Sequence, residues 1–131
     1  MVRKHNLESL GSVSNAQAER LSNVQGILLD MGADQLEPRP WQLEASEPSA
    51  VELTQYALWR STELTAEELL GALSLLPAAR AEVDSVEVGL IFVARNEGLT
   101  WAQIAEAMGF RSPQACQQYV NRLSARQDKR A

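Results

Sequence analysis

Apolar residues along this chain recur with the period of an α-helix. Leu21, Val24, Leu28 and Met31 follow one another at three- and four-residue intervals, which places them on one stripe of a helix. Ser14 or Asn15 can cap its start, and Gly32 suits its end because glycine accepts the left-handed conformation that closes a helix. A second helical segment follows Ser46 and Pro48 and runs to about Arg60, with Leu53, Ala57 and Leu58 on one side and Tyr56 and Trp59 near the other. Thr65, Ala66, Glu67 and Glu68 form a capping box ahead of Leu69, Leu70, Leu73 and Leu76, and Pro77 ends that helix or starts the next. Val83, Val86, Leu90, Val93 and Ala94 continue the spacing to Asn96, where Glu97 and Gly98 close the element. The run from Val86 to Val93 is the only stretch that could alternate as a strand, and its length and flanks favour a buried helix.

Two stretches interrupt the pattern. Residues 1–13 show no sustained apolar period and read as a flexible arm. Residues 34–48 carry Pro38, Pro40 and Pro48 among glutamates, and proline removes backbone donors and forces its predecessor out of the helical region. That segment reads as a linker or strap, with Trp41 and Leu43 pinned to the domain. The expected organisation is an arm (1–13), an amphipathic helix (14–33), a Pro/Glu-rich linker (34–48) and a helical domain (49–131), all-α throughout.

The most informative segment runs from Leu99 to Ala115, two helices around a tight corner. Thr100 with Gln103 makes a cap, Ile104, Ala105 and Met108 supply an inner face, and Gly109 terminates the first helix. Ser112 caps the second, whose first residue is Pro113, a position where a missing amide costs nothing. The small Ala105 lets the second helix cross closely, and Gly109 permits the sharp left-handed turn. These features predict a helix-turn-helix over residues 100–126.

The run Leu99 to Phe110 (LTWAQIAEAMGF) is similar to the first helix and turn of bacterial helix-turn-helix regulators and of sigma factor region 4, and Ser112 to Leu123 (SPQACQQYVNRL) stands where their recognition helix stands. The corner Gly109 to Ala115 resembles a Gly-x-x-Ser-x-Gln-Ala form found in small actinobacterial DNA-binding proteins. The resemblance covers about Leu69 to Arg126 and implies a tri-helical unit, with 69–98 supplying the scaffold. Pro113 departs from it, standing where similar corners often carry a basic residue, and Ala115 and Cys116 are smaller than the aliphatic residues many recognition helices place there.

In helix-turn-helix proteins the second helix enters the major groove and its early outward residues meet base edges. Ala115, Cys116, Tyr119, Val120 and Leu123 make the inward stripe, which leaves Gln114, Gln117, Gln118, Asn121 and Arg122 pointing outward. Glutamine and asparagine can pair bidentately with adenine, and arginine with guanine. Thr100, Arg111, Ser112, Arg126, Lys129 and Arg130 are the candidates for phosphates.

Charge constrains this reading. The 131 residues carry 12 Lys and Arg against 17 Asp and Glu, a net of −5. That balance argues against a surface that clings to nucleic acid everywhere. From Gly98 onward, however, five basic residues (Arg111, Arg122, Arg126, Lys129, Arg130) face two acidic ones (Glu106, Asp128). A basic end on an acidic body predicts local, salt-sensitive contact with double-stranded DNA. So few cations bind weakly alone, so a homodimer is expected, with the Leu21, Val24, Leu28, Met31 stripe as its contact.

Other chemistry finds little support. The single Cys116 excludes an intrachain disulfide framework, and the single His5 falls in the arm, so no nucleophile and base pair can be placed. The glycines never cluster into a phosphate cradle, and no cofactor or metal is called for; ligand sensing is a third possibility, with no residues that identify a small-molecule effector pocket. No apolar run is long enough for a membrane span and the start lacks a signal-peptide pattern, so the expected place is the cytoplasm, at the nucleoid. The expectation is a non-enzymatic transcriptional regulator; the competing class is a helical adaptor that binds other proteins.

Overall fold

Helix starts and stops are set by local chemistry, and together they give an all-α chain. The computed structural model describes residues 2–37 and 47–130, and the side-chain surroundings of 15–37 and 47–129. Most of the expected linker, including Trp41 and Leu43, lies outside these residues. The helices are α1 (Val2–Met31), α2 (Ala50–Trp59), α3 (Ala66–Ser74), α4 (Leu76–Asn96), α5 (Trp101–Met108) and α6 (Pro113–Arg130), with single 3₁₀ turns at Ala33–Gln35 and Ser61–Glu63. No strand occurs among the described residues, and none of their helices is long and apolar enough to cross a membrane.

The segment expected as a flexible arm is helical. No proline occurs before Pro38, and once a helix is nucleated by packing further along, each added residue costs only the small propagation term. α1 therefore extends back to Val2, where the apolar period alone starts it at Ser14. A capping box at Ser49 was also hidden from the apolar pattern. Glu52 N donates to Ser49 Oγ (3.2 Å) and Ser49 N donates to the Glu52 carboxylate (3.4 Å). The predicted box at Thr65 and Glu68 forms with bonds of 2.8 and 3.2 Å.

The chain divides into two compact units, Met1–Ala79 and Arg80–Ala131, with the division inside α4. In the N-terminal unit Val24, Leu28, Leu53, Tyr56, Ala57 and Leu75 form the core, with Leu21 and Met31 packed against it. α1 and α3 approach closely at Gly71, where an added Cβ would stand 2.8 Å from Val24 Cβ. Tyr56 donates its hydroxyl to Met31 O (2.8 Å), and Arg60 donates to the Tyr56 hydroxyl (2.8 Å), so α2 holds the end of α1. Arg60 also pairs with Glu63. That hydrogen bond raises the guanidinium pKa and lowers that of the carboxyl.

This packing corrects the expected dimer contact. Val24 and Leu28 are 1% and 0% exposed inside their own unit, so the stripe that was to meet a second subunit is already covered by α2 and α3. The apolar pattern of α3 is corrected in the opposite direction. Leu69, Leu70 and Leu73 are exposed while Gly71 and Leu75 are buried, because the close approach at Gly71 turns that side of α3 toward α1. Leu58 and Trp59 of α2 are likewise exposed.

In the C-terminal unit α4, α5 and α6 enclose Ile91, Ile104, Ala105, Cys116 and Val120, with Ala94, Trp101, Met108, Phe110 and Tyr119 packed around them. The scaffold of this unit is α4 alone, since α3, expected to contribute to it, belongs to the N-terminal unit. α4 is a helix as expected, but it is not buried all round. Val83, Val86, Leu90, Phe92 and Val93 face outward.

Candidate nucleic-acid interface

The corner is assembled from backbone bonds that the sequence encodes locally. α4 closes at Gly98, with φ +90°, where Gly98 N donates to Arg95 O (3.0 Å) and Leu99 N reaches back to Ala94 O (3.1 Å). Arg95 then donates to Leu99 O (2.9 Å) and stands 5.0 Å from the centre of the Trp101 ring. Trp101 is thereby an anchor at the start of α5. Thr100 caps that helix as predicted: Gln103 N donates to its hydroxyl (3.1 Å), and Thr100 N donates to the Gln103 amide oxygen (2.8 Å).

The end of α5 repeats the closure used by α4. Gly109 adopts φ +80°, Gly109 N donates to Glu106 O (3.2 Å), and Phe110 N donates to Ala105 O (2.8 Å). Phe110 folds inward and meets the Tyr119 ring at 5.2 Å. Ser112 then accepts from Ala115 N (3.1 Å), and α6 begins at Pro113. The turn thus contains four residues, Gly109 to Ser112, between the last residue of α5 and the first of α6.

α6 is seated by its inward stripe. Cys116 and Leu123 are fully buried, Val120 nearly so, and Ala115 and Tyr119 half-buried. Opposite them, Gln114, Gln117, Gln118, Asn121 and Arg122 are all exposed, so the structure brings the five residues proposed for base edges onto one open face. Arg111, on the turn, and Arg126 and Lys129, further along α6, are exposed as well, while Arg130 is helical with its side chain outside the described ones. The hydroxyls of Thr100 and Ser112 both serve as helix caps. The four hydrophobic residues assigned to dimerisation lie in the other unit.

Three contacts that position α6 are not announced by the sequence. Tyr119 donates to the Glu87 carboxylate of α4 at 2.8 and 2.9 Å, Ser85 donates to Gln127 (2.9 Å), and Gln127 donates to Ala81 O (3.4 Å). These partners are 32 to 46 positions apart, and no local spacing announces them. The bond to Glu87 raises the Tyr119 pKa, because ionising the phenol would remove the donated proton beside a carboxylate. Burial, with Glu87 nearby, raises that of the Cys116 thiol, which makes it an unreactive core group.

The folded unit also refines the charge partition. From Arg80 to Ala131 there are seven basic and six acidic residues, since α4 contributes Glu82, Asp84 and Glu87 and the turn after it Glu97. The positive character is therefore confined to the turn and α6. Among the described residues no group of His, Cys, Asp or Glu is arranged to hold a metal ion. Comparison with protein families, with curated proteins and with solved structures finds no match to this chain.

Proposed function

We propose that this protein binds double-stranded DNA in a sequence-specific manner and acts as a transcriptional regulator, with α6 entering the major groove. The observation that supports it is the open face of α6, where Gln114, Gln117, Gln118, Asn121 and Arg122 project together from a helix fixed by a tight glycine corner. Amide and guanidinium groups are the donors and acceptors that base edges recognise. Arg111, Arg126 and Lys129 supply charge for the flanking phosphates.

Sequencing the genomic fragments retained by the purified protein tests both the binding and its preferred site. Gln118→Ala and Arg122→Ala should each weaken binding to that site, by about 1–3 kcal/mol for a lost bidentate pair, with the helical content unchanged. A second reading, a helical adaptor for another protein, draws on the apolar groove that Leu58, Leu69, Leu73 and Leu76 line on the N-terminal unit. DNA association that is absent at low salt, or indifferent to both substitutions, favours the adaptor.

A further inference from the structure

The outward side of α4 carries an apolar seam that the fold of its own unit leaves uncovered. Val83, Val86, Leu90 and Val93 are spaced by three, four and three residues, the spacing with which one helix packs along another. All four are more than half exposed, Leu90 at 67%. Together they leave on the order of 400 Å² of apolar surface on three helical turns, within the size range of the largest, often functional, patch of a lone chain. Gly89, between Val86 and Val93 on this side, has open space where a Cβ would stand. A second helix could therefore come close there.

We infer that this face is covered by the α4 of a second copy of the chain, running antiparallel. The charges at the two ends of the seam select that occupant. Arg80 stands before it and Glu97 after it; both are exposed, and no ion pair involving either is found among the described residues. An antiparallel partner that sets Val83 against Val93 and Val86 against Leu90 brings Arg80 within one residue of level with Glu97 of the second copy. The two-fold axis repeats the pair at the other end. A parallel partner would instead oppose arginine to arginine and glutamate to glutamate, which is unfavourable. Two such faces with their flanks remove on the order of 1,000 Å² from water, the size at which specific interfaces begin. This contact replaces the α1 stripe as the source of a dimer and does not depend on whether α6 reads DNA.

The test is the mass of the full chain in solution, without DNA, by sedimentation equilibrium from 1 to roughly 100 μM, a range that spans moderate interface affinities. The wild-type chain is expected to dimerise, and Leu90→Glu to be monomeric with unchanged helical content, since Leu90 is exposed in the single chain. Arg80→Glu and Glu97→Arg should each weaken the dimer about fivefold, as expected for two rim pairs turned into like-charge contacts. The double variant R80E/E97R should regain the wild-type constant. A wild-type chain that stays monomeric throughout, a dimer indifferent to Leu90→Glu, or a double variant no tighter than either single one overturns the inference.

Discussion

Tyr119 of α6 donates its phenolic hydrogen to both carboxylate oxygens of Glu87 on α4, at 2.8 and 2.9 Å. This bond ties the candidate reading helix to its scaffold through a group that titrates in alkali. Because the folded pKa of Tyr119 lies above its ordinary value, its contribution is fully present below about pH 10. It is lost as pH rises from there through the folded value. Tyr119→Phe should cost about 1 kcal/mol at pH 7, the size of a half-buried charged hydrogen bond after screening. The gap between wild type and variant should narrow as pH rises from 10 in thermal unfolding curves. A constant gap to pH 11.5 would contradict the assignment.

Gly71 and Gly26 make a contrasting pair of helical glycines. Gly71→Ala places a methyl group 2.8 Å from Val24 Cβ and 3.2 Å from Arg20 O, and should destabilise the N-terminal unit by about 1–3 kcal/mol. Gly26→Ala meets nothing within 4 Å and should stabilise it by about 0.5–1 kcal/mol through helix propensity. Urea unfolding of the two variants should move the midpoint in opposite directions.

The corner between α5 and α6 depends on backbone that only glycine adopts without strain. Gly109→Ala must hold φ near +80°, at a cost of about 1–2 kcal/mol. Its Cβ meets no neighbour, so the loss is conformational. Gly109→Asn, which tolerates that region better, should lose less. Equal losses from the two variants would place the cost elsewhere.

If α6 binds DNA as proposed, Arg126 and Lys129 act on phosphates. Arg126→Ala and Lys129→Ala should weaken binding equally on matched and unmatched duplexes, and each should reduce the slope of log affinity against log salt by about 1. Fluorescence anisotropy titrations at several salt concentrations measure both quantities. Loss confined to the matched duplex would reassign these side chains to base edges.

The corner was legible from sequence because each of its parts is encoded within a few residues. Thr100 and Gln103, Gly109, Ser112 and Pro113 set caps and dihedrals by local chemistry, and the alternation of Cys116, Val120 and Leu123 with Gln117, Gln118 and Asn121 fixes which side of α6 is open. What the sequence concealed depends on partners distant along the chain. Apolar periodicity marks a stripe without saying what covers it, so Val24 and Leu28 read as available although α3 approaches them through Gly71. The same ambiguity made Val86 and Leu90 read as buried. The extension of α1 was missed because residues that lack an apolar period can still propagate a helix once one has formed.

Cys116 is the chain's only thiol, and it lies at 0% exposure beneath the face that carries Gln117 and Gln118. A reagent cannot reach that sulfur while α6 is seated. Its rate of labelling therefore clocks the opening of the C-terminal unit alone, and a bound partner that holds α6 in place should slow the clock by the factor with which it suppresses opening.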